Sequence, residues 1–101
     1  MVISKSEIHG KGVFSDKLIK KGTILTCDVI EISNVDKLLF DYVYPFIGTR
    51  CCLHIGWASF LNSSKSSNLK HLKIDTEELI SYFEVLIDIK EGEELTLNYM
   101  P

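Results

Sequence analysis

At 101 residues the chain suffices for one domain with one modest core and is too short for two, so residues 1–101 are read as a single domain. Hydrophobic residues make up 46% and charged residues 25%, a balance that excludes a disordered chain. The formal charge of -3 argues against a general nucleic-acid binder, because neutralising phosphates takes clustered Lys and Arg. Lys65, Lys70, His71 and Lys73 do form a local basic patch, read as part of a solvated loop. The most hydrophobic run, residues 38–47, is interrupted by Asp41 and Pro45, and the N-terminus has no apolar stretch, so neither a signal peptide nor a membrane span is expected. Cys27, Cys51 and Cys52 are odd in number and lack a Cys-x-x-Cys spacing. That argues against a disulfide framework or a structural zinc site and for reduced, mostly buried thiols in the cytoplasm.

In chain order, Gly10 and Gly12 bracket Lys11 ahead of Val13-Phe14, a tight turn entering a short strand. No helix start or acidic residue follows at the spacing of a dinucleotide fold. Ile19-Lys20-Lys21-Gly22-Thr23-Ile24-Leu25-Thr26 matches Ile89-Lys90-Glu91-Gly92-Glu93-Glu94-Leu95-Thr96 as I-K-x-G-x-x-L-T, which predicts two similar strand-turn-strand units in a mainly β domain. Residues 23–32 continue as a β-branched run. Asn34 can cap a short helix in which Val35, Leu38, Leu39 and Tyr42 share a face, and Pro45 forbids its extension. Residues 42–47 and 51–55, separated by Gly48-Thr49-Arg50, have the form of a hairpin with a three-residue loop, so helix and hairpin both claim Tyr42. Trp57, Phe60 and Leu61 would anchor the start of the polar segment Asn62-Ser63-Ser64-Lys65-Ser66-Ser67-Asn68, which is too small and hydrogen-bond-rich for regular structure. Residues 76–89 fit a helix capped by Asp75 or Thr76 and a strand about equally well. After the turn glycine Gly92, Leu95, Leu97 and Tyr99 alternate with Thr96 and Asn98, a half-buried strand with a tyrosine at its tip.

Three of these stretches occur in a particular order: Gly10-Lys11-Gly12-Val13-Phe14, then Phe60-Leu61-Asn62-Ser63-Ser64 with Asn68 downstream, then Gly92-Glu93-Glu94-Leu95-Thr96-Leu97-Asn98-Tyr99. Together they resemble the SET-domain protein-lysine methyltransferases over roughly the whole chain, most of all the minimal stand-alone viral and bacterial members. The resemblance tips residues 76–89 towards a strand paired with the one near residues 72–75. It implies a mainly β, β-clip type SET fold of small curved sheets with one or two short helices, in which the Asn62 segment and the C-terminal segment cross as a pseudoknot. It also implies S-adenosylmethionine as cofactor, held by Lys11 and Gly12 and by Asn62 and Ser63, with the Asn62 amide offering donors and an acceptor. The substrate is then a protein lysine, in a histone or another basic protein, with Tyr99 and Tyr42 as catalytic residues and Leu97 and Tyr42 lining the substrate channel. No metal is implied.

The departures from the family pattern carry consequences of their own. Ser63 stands where the family usually has histidine, and Lys65 and Ser67 replace the usual cysteine and proline. Leu97 occupies a position where Phe or Tyr commonly limits the number of methyls added. No cysteine-rich segment follows Tyr99, so the zinc-built lid of larger members is not expected, and a homodimer is one way to complete the channel. A viral source would put the protein in a host nucleus. The alternative reading is a catalytically weak or inactive SET-like protein-interaction module.

Overall fold

The computed structural model describes residues 1–32, 43–47 and 50–98, with side chains for 1–31 and 53–98. Among these residues nine strands form one curled sheet: β1 (Val2–Lys5), β2 (Lys11–Phe14), β3 (Ile24–Ile32), β4 (Val43–Ile47), β5 (Arg50–Ile55), β6 (Asn62–Ser63), β7 (Leu69–Asp75), β8 (Ile80–Val85) and β9 (Glu94–Leu97). The order is β1-β2-β9-β7-β8-β3-β5-β4, with β6 added in parallel to β9. The protein is therefore mainly β, as expected.

Period-two burial shows why β8 is a strand. Ser81, Phe83 and Val85 face inward and alternate with half-buried neighbours, which a helix over residues 76–89 would scatter around its circumference. Asp75 does cap here, but it caps a turn: its Oδ1 accepts from the backbone N–H of Glu77 at 3.0 Å and of Glu78 at 2.9 Å. Leu79 N–H closes the turn on the Asp75 carbonyl at 2.8 Å and takes φ +57°, sending the chain back as β8 against β7. Phe83, fully buried, is the largest such side chain, and around it gather Val13, Ile19, Leu61, Leu69, Val85, Ile89, Leu95 and Leu97. This core draws on β2, β7, β8, β9 and both repeat turns, so burial ties distant segments together.

The two copies of I-K-x-G-x-x-L-T meet across a local two-fold relation. Ile19 and Ile89 exchange both backbone hydrogen bonds at 2.8 Å. Gly22 N–H donates to the Val85 carbonyl and Gly92 N–H to the Ser15 carbonyl, each at 2.7 Å. Val85 N–H returns to Thr23 at 3.0 Å and Ser15 N–H to Glu93 at 2.9 Å. Gly22 and Gly92 sit at φ +88° and +86°, where an L side chain is strained. The repeat is thus a pair of turns that clasp each other, and it delivers β3 and β9 into the sheet.

Some expectations are revised. β4 and β5 form the expected hairpin, but Arg50 pairs with Ile47, so the connection is two residues and not three. A register shift between Pro45 and Ile47 accompanies this; Pro45 has no N–H for the ladder, and it lies on the edge strand β4, where its absence is tolerated. The helix predicted from Asn34 to Tyr42 falls outside the described residues. Residues 62–68 are not a plain polar loop: Asn62 and Ser63 pair with Thr96 and Leu97, and Asn68 is buried. In the anchor before it Trp57 packs on Phe83 with ring centroids 5.2 Å apart, while Phe60 is exposed and Ala58 and Leu61 are the buried members of the stretch. His71 leaves the predicted basic patch, turning inward beside Phe83. Period-two alternation from buried Leu69 puts His71 on the inner face opposite Phe83 and leaves Leu72 outside; the bulge follows, between His71 and Lys73. Cys27 is buried and free; burial pushes its thiol pKa up.

Candidate functional site

β9 brings the predicted residues together. It pairs with β2 through Val13–Leu95 and Phe14–Glu94, with β6 through Asn62–Thr96 and Ser63–Leu97, and with β7 through Leu69–Leu97. The C-terminal strand is thereby inserted between the Gly10-to-Gly12 segment and the Asn62 segment, as the pseudoknot expectation requires. Asn68 holds it there. Its Nδ2 donates to the Glu94 carbonyl and its Oδ1 accepts from Thr96 N–H, both at 2.8 Å, so one buried amide completes a ladder that the strand alone leaves open.

Lys11, Gly12, Asn62, Ser63 and Leu97 converge at this junction. Asn62 Nδ2 donates to the His9 and Lys11 carbonyls at 3.1 Å and to Glu94 Oε2 at 2.8 Å. Three oxygens around one amide nitrogen determine which way the amide points, since a flip would set Oδ1 against all three. The donors of Asn62 are therefore spent on the protein, and Oδ1 alone is left for a ligand; the expectation that the amide offers donors too is corrected. Lys11 contributes its carbonyl and exposes its side chain, and Ser63 is exposed, while Leu97 is buried at 5% exposure with its wall against β6 and β7. Tyr99 and Tyr42 lie outside the described residues.

Two further residues belong to the junction. Ser6, buried, donates from its hydroxyl to Glu94 Oε1 at 2.7 Å, accepts from Ile8 N–H at 3.0 Å, and closes its loop through Ser6 N–H to the Gly10 carbonyl at 2.8 Å. Glu94 thus carries Ser6 on one oxygen and Asn62 on the other. The doublet Glu93-Glu94 hints at this: Glu93 Oε1 accepts from Lys90 N–H at 2.7 Å to staple the turn, leaving its neighbour for the sheet.

Against Phe83, on β5, β7 and β8, lies a second polar group that the sequence does not announce. Ser81, fully buried, bridges His54 Nε2 at 3.0 Å and His71 Nε2 at 2.8 Å, beneath Phe83. One hydroxyl proton serves both rings only if one imidazole presents a lone pair and the other an N–H, which two neutral rings satisfy. Burial, joined by repulsion from His71, lowers the His54 pKa to about 4; burial lowers that of His71 as well.

The profile of the SET-domain family matches residues 10–100, and the chain belongs to that family. Among solved structures it is similar to a candidate histone methyltransferase of Plasmodium falciparum, at 25% identity and a TM-score of 0.84, covering 97% of this chain and 90% of that one. It also superposes on ctPRC2 in complex with a trimethylated and a lysine-to-methionine form of histone H3, at 23% identity and a TM-score of 0.76, covering 99% of this chain and 14% of that chain. The latter likeness is one of fold. No curated protein matches the sequence.

Proposed function

We propose that this chain is an S-adenosylmethionine-dependent protein-lysine methyltransferase. The observation that carries the reading is the junction itself: β9 draws the residue 6–12 loop, Asn62 and Leu97 to one place and leaves the Asn62 amide oxygen without a hydrogen bond among the described residues. The chemistry of the junction fits the cofactor. An unpartnered amide oxygen is an acceptor for an ammonium group, and Gly10, at φ +44°, has no heavy atom within 4 Å of where a Cβ would sit, so the backbone there can be approached closely. Family membership and the likeness to a candidate histone methyltransferase support a protein substrate.

When bound, S-adenosylmethionine supplies an electrophilic methyl carbon on a sulfonium. The substrate lysine, with an ordinary pKa of about 10.4, must first give up a proton to solvent. Its neutral nitrogen would then take the methyl group, the carbon–sulfur bonding pair going to sulfur. The protein's part is alignment and exclusion of water. Tyr99 follows two residues after Leu97, and in this proposal its hydroxyl accepts an N–H of the amine and orients the lone pair, while Tyr42 lines the channel.

The test has two stages. Calorimetric titration with S-adenosylmethionine should give saturable one-site binding that Asn62→Ala weakens, and methyl transfer to histone or another basic protein should disappear in Tyr99→Phe with cofactor binding retained. Absence of binding at millimolar cofactor would refute the proposal, and unchanged turnover in Tyr99→Phe would remove the role given to Tyr99.

A further inference from the structure

We infer that Glu94 is a positioning residue for the cofactor pocket: its carboxylate locks the Asn62 amide with nitrogen inward and oxygen outward, so that the pocket presents an acceptor and no amide donor. The inference rests on the cofactor reading above.

A carboxylate offers acceptors at both oxygens and no donor, and here both meet donors, Ser6 Oγ at 2.7 Å and Asn62 Nδ2 at 2.8 Å. The His9 and Lys11 carbonyls are weaker guides at 3.1 Å, because they belong to a loop that Ser6 itself closes. Glu94 is therefore shared by both walls of the junction: through Ser6 it holds the loop, and directly it orients the amide. Its backbone is in turn tied by Asn68. The space the carboxylate occupies exists only because residue 12 is glycine. A Cβ on Gly12 would lie 2.3 Å from Glu94 Oε2 and 2.9 Å from its Cδ. These two atoms are the far end of a flexible side chain and the third neighbour, Ser6 Cβ, is at 3.0 Å, so Gly12→Ala would push the carboxylate aside and press on Ser6.

The neutral isostere separates orientation from charge. In Glu94→Gln, Oε1 can face Asn62 while Nε2 donates to Ser6 Oγ, whose second lone pair is open beside the Ile8 N–H; the Asn62 orientation is kept. In Glu94→Ala nothing on β9 receives the amide.

The experiment is calorimetric titration of S-adenosylmethionine into wild type, Glu94→Ala, Glu94→Gln, Gly12→Ala, Asn62→Ala and the double variant Asn62→Ala/Glu94→Ala, each verified as folded by thermal melting. In parallel, the side-chain NH₂ resonances of Asn62 are followed in ¹⁵N-labelled protein without cofactor. Glu94→Ala and Gly12→Ala should weaken binding about tenfold, Glu94→Gln by no more than about threefold, and the double variant should bind no worse than Asn62→Ala alone. The Asn62 NH₂ pair should shift in Glu94→Ala, where the His9 and Lys11 carbonyls alone remain as acceptors, and stay in Glu94→Gln. Losses that multiply in the double variant, wild-type binding by Glu94→Ala, or an unmoved NH₂ pair would each overturn the role of Glu94. Failure of wild type to bind would instead refute the cofactor reading and with it any function for the lock, while the NH₂ resonances would still decide whether the lock exists.

Discussion

Lowering the pH should unfold this protein partly through one ring. In the unfolded chain an imidazole charges as pH falls through about 6.5. In the folded protein His54 resists until about 4, because burial against Phe83 disfavours its charged form and because His71 lies beside it. Between those values the unfolded state binds more protons than the folded one, so stability falls as the pH falls. The loss from His54 begins near 6.5, is complete near 4 and does not deepen below it. At about 1.4 kcal/mol per pH unit the full window corresponds to roughly 3 kcal/mol, and partial solvent access to the ring reduces this to about 2. His71, shifted in the same direction, adds to the loss. The assay is urea unfolding at intervals from pH 7.5 to 4, for wild type and for His54→Gln, which keeps a hydrogen-bonding side chain near Ser81 but does not titrate. The difference between the two curves removes the carboxylates common to both. Wild type should lose about 2 kcal/mol more than His54→Gln across that range. Parallel curves, or a His54 ring resonance that titrates near 6.5, would refute the reasoning.

The core and turns make further predictions. Phe83→Ala, at the fully buried centre, should cost about 3–5 kcal/mol in urea unfolding, whereas Phe60→Ala on the exposed flank should cost under about 0.5. Gly22→Ala and Gly92→Ala should each cost about 1–2 kcal/mol, and similarly, because the two positions share φ near +87° and equivalent partners; a large inequality would argue against the two-fold clasp. Asn68→Ala removes the donor to Glu94 and the acceptor for Thr96 from a buried site, and should cost about 2–4 kcal/mol in urea unfolding, with increased hydrogen exchange at Thr96. Tyr99→Phe should leave the melting temperature unchanged while abolishing methyl transfer.

How much of this was legible in the sequence depended on whether a residue's role is local. Turn glycines and period-two alternation are local signals, so the strands around Gly22 and Gly92, the hairpin and the mainly β class could be read directly. The order of three short stretches pointed to the family and brought Gly12, Asn62 and Leu97 forward as candidates. What could not be read depends on contacts between distant residues. The orientation of Asn62 is set by oxygens of His9, Lys11 and Glu94, the last 32 positions away, and nothing beside Asn62 announces it. His71 sits between Lys70 and Leu72, and simple charge grouping assigns it to the surface; alternation counted from buried Leu69, in register with β8, turns it inward. Ser81 and His54 are separated by 27 residues and meet only because β3 lies between β5 and β8. Residues 76–89 were ambiguous because helix and strand propensities balance, and the Asp75 turn resolves them.

The repeat explains why the site lies where it does. Both copies of I-K-x-G-x-x-L-T build the same turn, the same glycine hydrogen bond and the same strand entry, so the scaffold is nearly symmetric at the backbone. The x positions break that symmetry. Where the first copy has Ile24, exposed on the outer face of β3, the second has Glu94, which bridges Ser6 and Asn62. Both residues open their strands after equivalent turns, but β3 pairs with β8 and β5, and β9 is threaded among β2, β6 and β7. An isoleucine at the second position would leave the Asn62 amide without its shortest partner. The symmetric residues therefore secure the fold, and of the three positions at which the copies differ, Glu94 is the one that reaches the junction with Ser6 and Asn62.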